Sequence, residues 1–403
     1  MPSTLITPTA VTREALRILH QKLTFVGSIN TAYDASFAKS EAKIGDTLKV
    51  RLPNRYKTYI GLDQTANFQD TIETTVDVKV QKIRSLPLKF DDWELTLSMD
   101  NFSSRIIEPA MAQMAADIEA DVLSQAYGDV YQQVGTAGTI PNTLKILNQS
   151  RAKLTDSLTP SDSRSMILNT DAQVEIVDAV KGLFHDQSRV QKQYRDGIMG
   201  TTAGFGDIYE TTQVPVHTNG TATGAHTVTA PPVEASSAIN ITGTGAQTLT
   251  RGTVFTIAGV FMVHPETKVN TGKLQQFTVT ATATAAAGAY TAVQVSPPFT
   301  ASATNPRQNI SALPAGAAAI TLVGNASTSY AQNLAYHKDA FTFVTADLSE
   351  IKGAAFYARE AYDGISMRVW RDWDVKTGVQ FSRLDIAYGF KTIRPEMACR
   401  ITA

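Results

Sequence analysis

The chain has 403 residues, enough for two or more domains that each bury a core, and its 36 Lys and Arg against 37 Asp and Glu leave a formal charge of -1. With no basic excess to displace counterions from a polyanion, sequence-specific nucleic-acid binding is disfavoured. A single cysteine, Cys399, excludes an intrachain disulfide and a cysteine metal cluster, and neither a signal-type N-terminus nor an apolar run of membrane-spanning length is present, so a soluble product of a cytoplasm is expected.

Taken in chain order, Thr12 is placed to cap a helix whose Ala15, Leu16, Leu19 and Leu23 recur at helical spacing, giving a short amphipathic arm suited to binding a partner. Leu48–Leu52 and the alternating run Thr75–Ile83, with Val76, Val78 and Val80 on one face, predict the two arms of a hairpin; Leu86, Leu88 and Phe90 continue the pattern. Between the arms lie about twenty mostly polar residues, 53–71, and a loop of that length without structure of its own is commonly functional. Asp91, Asp92, Trp93 and Glu94 place three carboxylates beside one aromatic. Successive strand residues point to opposite faces, so Asp91 and Asp92 make a poor acid/base pair and fit a subunit joint better. A helix is predicted over 105–133, with Ile107, Met111, Met114, Ile118 and Val122 on one stripe and Asp117, Glu119 and Asp121 off it; at 1.5 Å per residue it would be about 40 Å long, a spine. Ser165–Asn169 reads as a buried strand, and a helix capped by Asp171 runs on to Ala179.

A compositional break then divides the chain. Positions 219–335 carry only six charges, Glu234, Arg251, Glu266, Lys268, Lys273 and Arg307. That window holds short β-type runs, 252–263 and 276–282, broken by glycine and proline, which predicts a small antiparallel barrel or sandwich. Phe255, Ile257, Val260, Phe261 and Phe277 supply the core that a Thr/Ala-rich linker would lack. Strand-like runs flank it at 207–216 and 340–346, as expected of an insertion in a host fold. The expected division is therefore 1–218 and 336–403 as a discontinuous host, with 219–335 as an inserted β domain. Residues 365–370 and 379–388 alternate as long antiparallel strands, and the whole is α+β.

Chemistry-bearing patterns are weak. His20, His185, His217, His226, His264 and His337 include no pair four apart on a helix, so no metal site is predicted. His264-Pro-Glu266 reads as a surface corner. The glycine-rich 200–206 lacks the strand-to-helix context that cradles phosphate. Cys399 lacks a base and reads as a small buried residue. No catalytic, cofactor-binding or metal residue is assigned. A β-rich adhesin is the rival from another class, and a hydrolase using the acidic cluster a distant third.

The N-terminal arm, extended hairpin loop, spine helix and discontinuous β-rich body together resemble the Hong Kong 97 (HK97) type coat-protein fold of tailed phages. More closely, the chain is similar to the P22-like podophage branch, whose coat carries an inserted β-barrel. The likeness rests on RGTVFTIAGV at 251–260, read as a strand ending in the turn at 258–260, on YRDG at 194–197, on AGF at 203–205 and on RPE at 394–396. The resemblance implies a major capsid protein that forms hexamers and pentamers of one chain and closes them into an icosahedral shell. It further implies a separate scaffolding protein, a portal protein through which double-stranded DNA enters without sequence-specific binding, no cofactor and no membrane. The expected location is the virion, after assembly in the host bacterial cytoplasm. Little chain precedes Thr12 to serve as a built-in scaffolding segment, which favours the separate-scaffold branch, and the Lys–Asn cross-link of other relatives cannot be placed. Arg51, Arg55, Tyr56, Lys57 and Tyr59, in and beside the long loop, and Asp91 and Asp92 are the expected inter-subunit contacts.

Overall fold

The computed structural model of the chain describes residues 8–31, 47–61, 68–69, 74–90, 106–180, 204–348, 356–362, 364–374 and 379–403. It is mixed α+β and divides into two compact units, one drawn from Met1–Arg51, Thr75–Val122 and Phe341–Ile393, the other from Leu52–Thr74, Leu123–Ala340 and Arg394–Ala403.

In the first unit the organising element is the strand Val379–Thr392. It pairs antiparallel with Lys82–Phe90 on one edge and, in succession, with Ile365–Asp374 and Phe341–Ala346; Phe356–Tyr362 completes the five-stranded sheet. The predicted hairpin forms with Thr47 opposite Lys79 and Arg51 opposite Thr75. Its second arm stops at Lys79 and the chain re-enters a strand at Lys82, so the single alternating run of the sequence becomes two strands belonging to two sheets. Helix α1, Pro8–Lys22, buries Val11, Ala15, Leu16, Ile18 and Leu19 and packs on the strands Phe356–Tyr362 and Ile365–Asp374. It starts four residues before the predicted cap: proline suits a first turn, and Thr12 lies buried inside the helix. The apolar face of α1 is thus spent within its own unit.

After the short helix α2, Phe25–Ser28, the chain reaches the long helix α3, Glu108–Asp129, which at 1.5 Å per residue spans about 33 Å. Every residue of the predicted stripe, from Ile107 to Val122, is buried. Glu119 departs from the prediction: it is only 4% exposed, and its Oε1 accepts the backbone amides of Thr24 and of Phe25, the latter at 2.7 Å. Burial raises its pKa while those amides oppose the shift. Asp121 accepts from Lys82 Nζ at 2.5 Å and from Tyr388 Oη at 2.7 Å.

In the second unit the sheet order is Gln133–Val134, Ala398–Thr402, Ser329–His337, Arg164–Leu168, Asp207–Glu210, with Val216–Thr218 on the first half of Ser329–His337. Helices α4, Leu144–Asp156, and α5, Thr170–Val180, close one face over a core of Leu147, Leu154, Met166, Leu168, Ile176, Ala335, Cys399 and Ile401. The α5 cap is Asn169, whose Oδ1 accepts from Ala172 N at 3.0 Å; Asp171, the predicted cap, sits in the first turn, where a carboxylate suits the helix dipole.

The low-charge window folds into a closed six-stranded barrel in the order Val254–Val263, Asn270–Val279, Ala289–Phe299, Ser236–Thr242, His226–Val228, Ala319–Leu322. Alternation along the strands sends Phe255, Ile257, Val260, Phe277, Tyr290, Val293, Val295 and Phe299 inward, and Phe277 stacks between Phe255 and Phe299 at centroid distances of 5.7 and 4.7 Å. Phe261 is only half-buried. The strand does not end at 258–260: Gly259 at φ +81° sits in a bulge between Thr256 and Phe261, where the register shifts, and the strand continues to Val263.

Candidate assembly surfaces

Two regions stand out, one for the side chains it exposes and one for the polar anchors it buries. The first is the loop between the hairpin arms. Its described limbs are clamped by Gln69, whose Oε1 accepts from Lys57 N at 2.8 Å and whose Nε2 donates to Lys57 O at 2.7 Å. Beside and past this clamp the loop presents large side chains to water: Tyr56 is 61% exposed, Tyr59 46%, Ile60 105% and Phe68 86%. Four large side chains exposed on the described limbs of one loop are more than a scatter of single surface residues.

At the base of the loop, cations gather. Arg55 pairs with Glu396 at 3.4 Å, Arg307 donates to Pro53 O at 3.4 Å, and Lys268 Nζ donates to Pro306 O at 2.7 Å and Gln308 O at 3.2 Å. Partial burial, with Arg55 and Lys57 adding like-charge repulsion, pulls the Lys268 ammonium down to about 8. Arg307 is lowered by burial and then by Arg55.

The second region is the base of the barrel. His217 and Tyr330, where the chain enters and leaves this segment, both bond Asn219 Oδ1, at 3.0 and 3.1 Å, and Asn219 Nδ2 donates to Val323 O and Asn325 O. The two crossing strands are thereby fastened together. Burial, reinforced by Arg400, depresses His217 to about 4. Arg251 reaches the C-terminal turn of α3, donating to Gln125 O at 2.9 Å and Asp129 Oδ1 at 2.8 Å, where exposed carbonyls and the helix dipole favour a cation. Gly128 makes room for it, since a Cβ there would lie 2.6 Å from Arg251 Cζ. Gln276 completes the joint: its side-chain amide exchanges two 3.0 Å hydrogen bonds with the backbone of Gln133.

Arg400, on the last strand, is fully buried. It donates to Gly252 O at 2.7 Å and Thr278 Oγ1 at 3.1 Å, and among the described residues no carboxylate is paired with it; burial lowers it to about 10. Cys399 beside it is fully buried, its thiol pushed up to about 12 by desolvation.

Of the residues singled out in the sequence, Arg55, Tyr56, Lys57 and Tyr59 lie together on the loop, and Arg51 is exposed at the end of the first hairpin arm. Asp91 and Asp92 fall outside the described residues, as does the 194–197 motif. His264 Nδ1 accepts from the amides of Glu266 and Thr267, a closed corner. Among the described residues no group of three or more His, Cys, Asp or Glu could hold a metal ion, and no helix is long and apolar enough to cross a membrane. Sequence reasoning missed Arg400 and Gln276 as anchors, while Arg251 carried a visible signal: a lone cation at the start of a strand in a nearly chargeless window.

The family model described as P22 coat protein, gene protein 5, matches residues 9–401. That model marks the class: a structural protein, the coat subunit of a phage. The chain belongs to the P22 coat protein family and is a major capsid protein, a component of the virion capsid that works as a multimer in a shell. Similar solved structures include one from Mycobacterium phage Che8, at 11% identity over 94% of this chain and 90% of that one with a TM-score of 0.46. The capsid of Ralstonia phage GP4 matches at 8% identity over 95% and 91%, TM-score 0.46. The CUS-3 coat protein I-domain matches at 30% identity over 26% of this chain and 99% of that one, TM-score 0.20. No curated protein sequence matches the chain.

Proposed function

We propose that copies of this chain form hexamers and pentamers that close into an icosahedral shell around double-stranded DNA. A separate scaffolding protein directs closure in the host bacterial cytoplasm, and a portal protein admits the genome. The chain does no catalysis; its free energy goes into joining copies. Contacts between subunits run through Arg51, Arg55, Tyr56, Lys57 and Tyr59 on and beside the loop, with Asp91 and Asp92 at a further joint. Residues 1–218 and 336–403 act as the shell-forming body, and 219–335 as an inserted domain. The observation that carries this reading is the row of exposed side chains Tyr56, Tyr59, Ile60 and Phe68, a row too apolar to remain in water when many modest contacts summed over a symmetric lattice could bury it. The near-neutral charge supports it too, because a strongly basic lining would hold packaged DNA against release. Co-expression with the scaffolding protein of the same phage, followed by electron microscopy, tests it: uniform closed shells are expected, and a chain that stays small and unassembled under all such conditions overturns it.

A further inference from the structure

Five cations converge at the loop base. Arg55 and Lys57 come from the loop, Lys268 and Arg307 from the barrel and Arg394 from the turn before the last strand, and the electrostatic neighbours of Lys268 and Arg307 are drawn from this same set. Among the described residues Glu396 is the one carboxylate paired with any of them. Like charges held together at partial burial repel, which is consistent with the lowered pKa values of Lys268 and Arg307, and an anionic group seated among them would relieve that repulsion. The cluster is continuous with exposed Tyr56 and Tyr59, and a surface mixing arginine with tyrosine is the composition of protein interfaces.

The same chain carries a complement. Helix α5 buries Ala172, Gln173 and Ile176, and its opposite face presents Asp171, Val174 and Glu175, a single stripe at helical spacing with no cation on the helix and Val174 66% exposed. We propose that the cationic cluster at the loop base of one copy receives the acidic face of helix α5 on a neighbouring copy, with Val174 packing against the loop aromatics. This rests on the shell-forming reading above and names the surfaces that meet.

The test is charge reversal on each side in the full chain, co-expressed with its scaffolding protein. Arg55→Glu with Lys57→Glu, or Asp171→Lys with Glu175→Lys, is expected to lower the yield of closed shells at least roughly tenfold, because the charge complementarity of the two surfaces is then lost. The four-residue combination should recover the parent yield to within roughly threefold. Thermal melting of the unassembled subunit should stay within a few degrees of the parent in every case, the Asp171 change costing no more than its favourable place at the helix N-terminus. The proposal is overturned if either pair assembles as the parent does, if the combination is no better than the weaker pair, or if a pair lowers yield only by unfolding the subunit, a defect the combination would not rescue. It is also overturned if the Arg55/Lys57 pair weakens retention of double-stranded DNA while shells form normally, which would make the cluster a nucleic-acid surface. A parent chain that forms no shells overturns the capsid reading itself and the proposal with it.

Discussion

Replacing Arg400 with methionine asks whether a fully buried guanidinium holds the barrel to the body or merely burdens it. The parent side chain makes two hydrogen bonds, to Gly252 O at 2.7 Å and Thr278 Oγ1 at 3.1 Å. Hydrogen bonds from a charged donor contribute about 1.5–3 kcal/mol each, so their loss costs about 3–6 kcal/mol and leaves a buried carbonyl unpaired. Against this stands the cost of burying the charge. A pKa lowered from 12.5 to about 10 corresponds to about 3 kcal/mol at neutral pH, and methionine removes that cost while filling a similar stem volume. With about 1 kcal/mol more for the orphaned Gly252 carbonyl, the net expectation is a destabilisation of about 1–4 kcal/mol in urea unfolding of the unassembled subunit. It should be accompanied by faster hydrogen exchange in the strands that bear Gly252, Thr278 and Arg400, with the sheet around Val379–Thr392 unchanged. A methionine variant as stable as the parent, or more so, would refute the reasoning and show that desolvation outweighs the two bonds.

Other expectations follow from the same joint. A histidine whose folded pKa, about 4, lies below its unfolded value of 6.5 destabilises the fold as the medium is acidified, because the unfolded chain takes up a proton the folded chain refuses; the loss begins near pH 6.5 and saturates near pH 4. His217 should therefore cost about 2 kcal/mol between pH 7.5 and pH 5, with buried His337 shifted in the same direction, and His217→Gln should visibly flatten the slope of melting temperature against pH. An unchanged slope would remove His217 from the account. Arg251→Ala should destabilise by about 1–2 kcal/mol through the lost bonds to the α3 carbonyls. In a double-mutant cycle with Asp129→Asn, the coupling should stay below about 1 kcal/mol, since the Arg251 and Asp129 side chains are 35% and 25% exposed and solvent screens the pair.

Much of this architecture was legible where burial follows a period. The hairpin arms, read at 48–52 and 75–83 and found paired at 47–51 and 75–79 with Val50 and Val78 buried, the spine stripe from Ile107 to Val122 and the inward set Phe255, Ile257, Phe277 all obey alternation or helical spacing. What escaped depends on partners distant in sequence. Glu119 was assigned to solvent because it lies off the apolar stripe, yet it is held by amides some ninety-five positions earlier. Arg400 sits in an apolar terminal strand, and nothing local says that its guanidinium ends under Gly252. Gly259 was read as the end of a strand because a bulge and a turn share the same glycine signal; only pairing across to Gln276 and Leu274 separates them. On the loop, sequence singled out Tyr56 and Tyr59 for their type, and the exposure of Ile60 and Phe68 became visible only once the chain was folded.

The most direct measurement of the central claim is assembly of the full chain carrying Tyr56→Ser, Ile60→Ser and Phe68→Ser, scored by sedimentation and electron microscopy beside the melting curve of the unassembled subunit. These side chains stand in water in the lone subunit, so its stability should change by no more than about 0.5 kcal/mol while closed shells are lost. Shells forming at the parent yield would contradict the account, because the loop would then bury nothing that assembly needs.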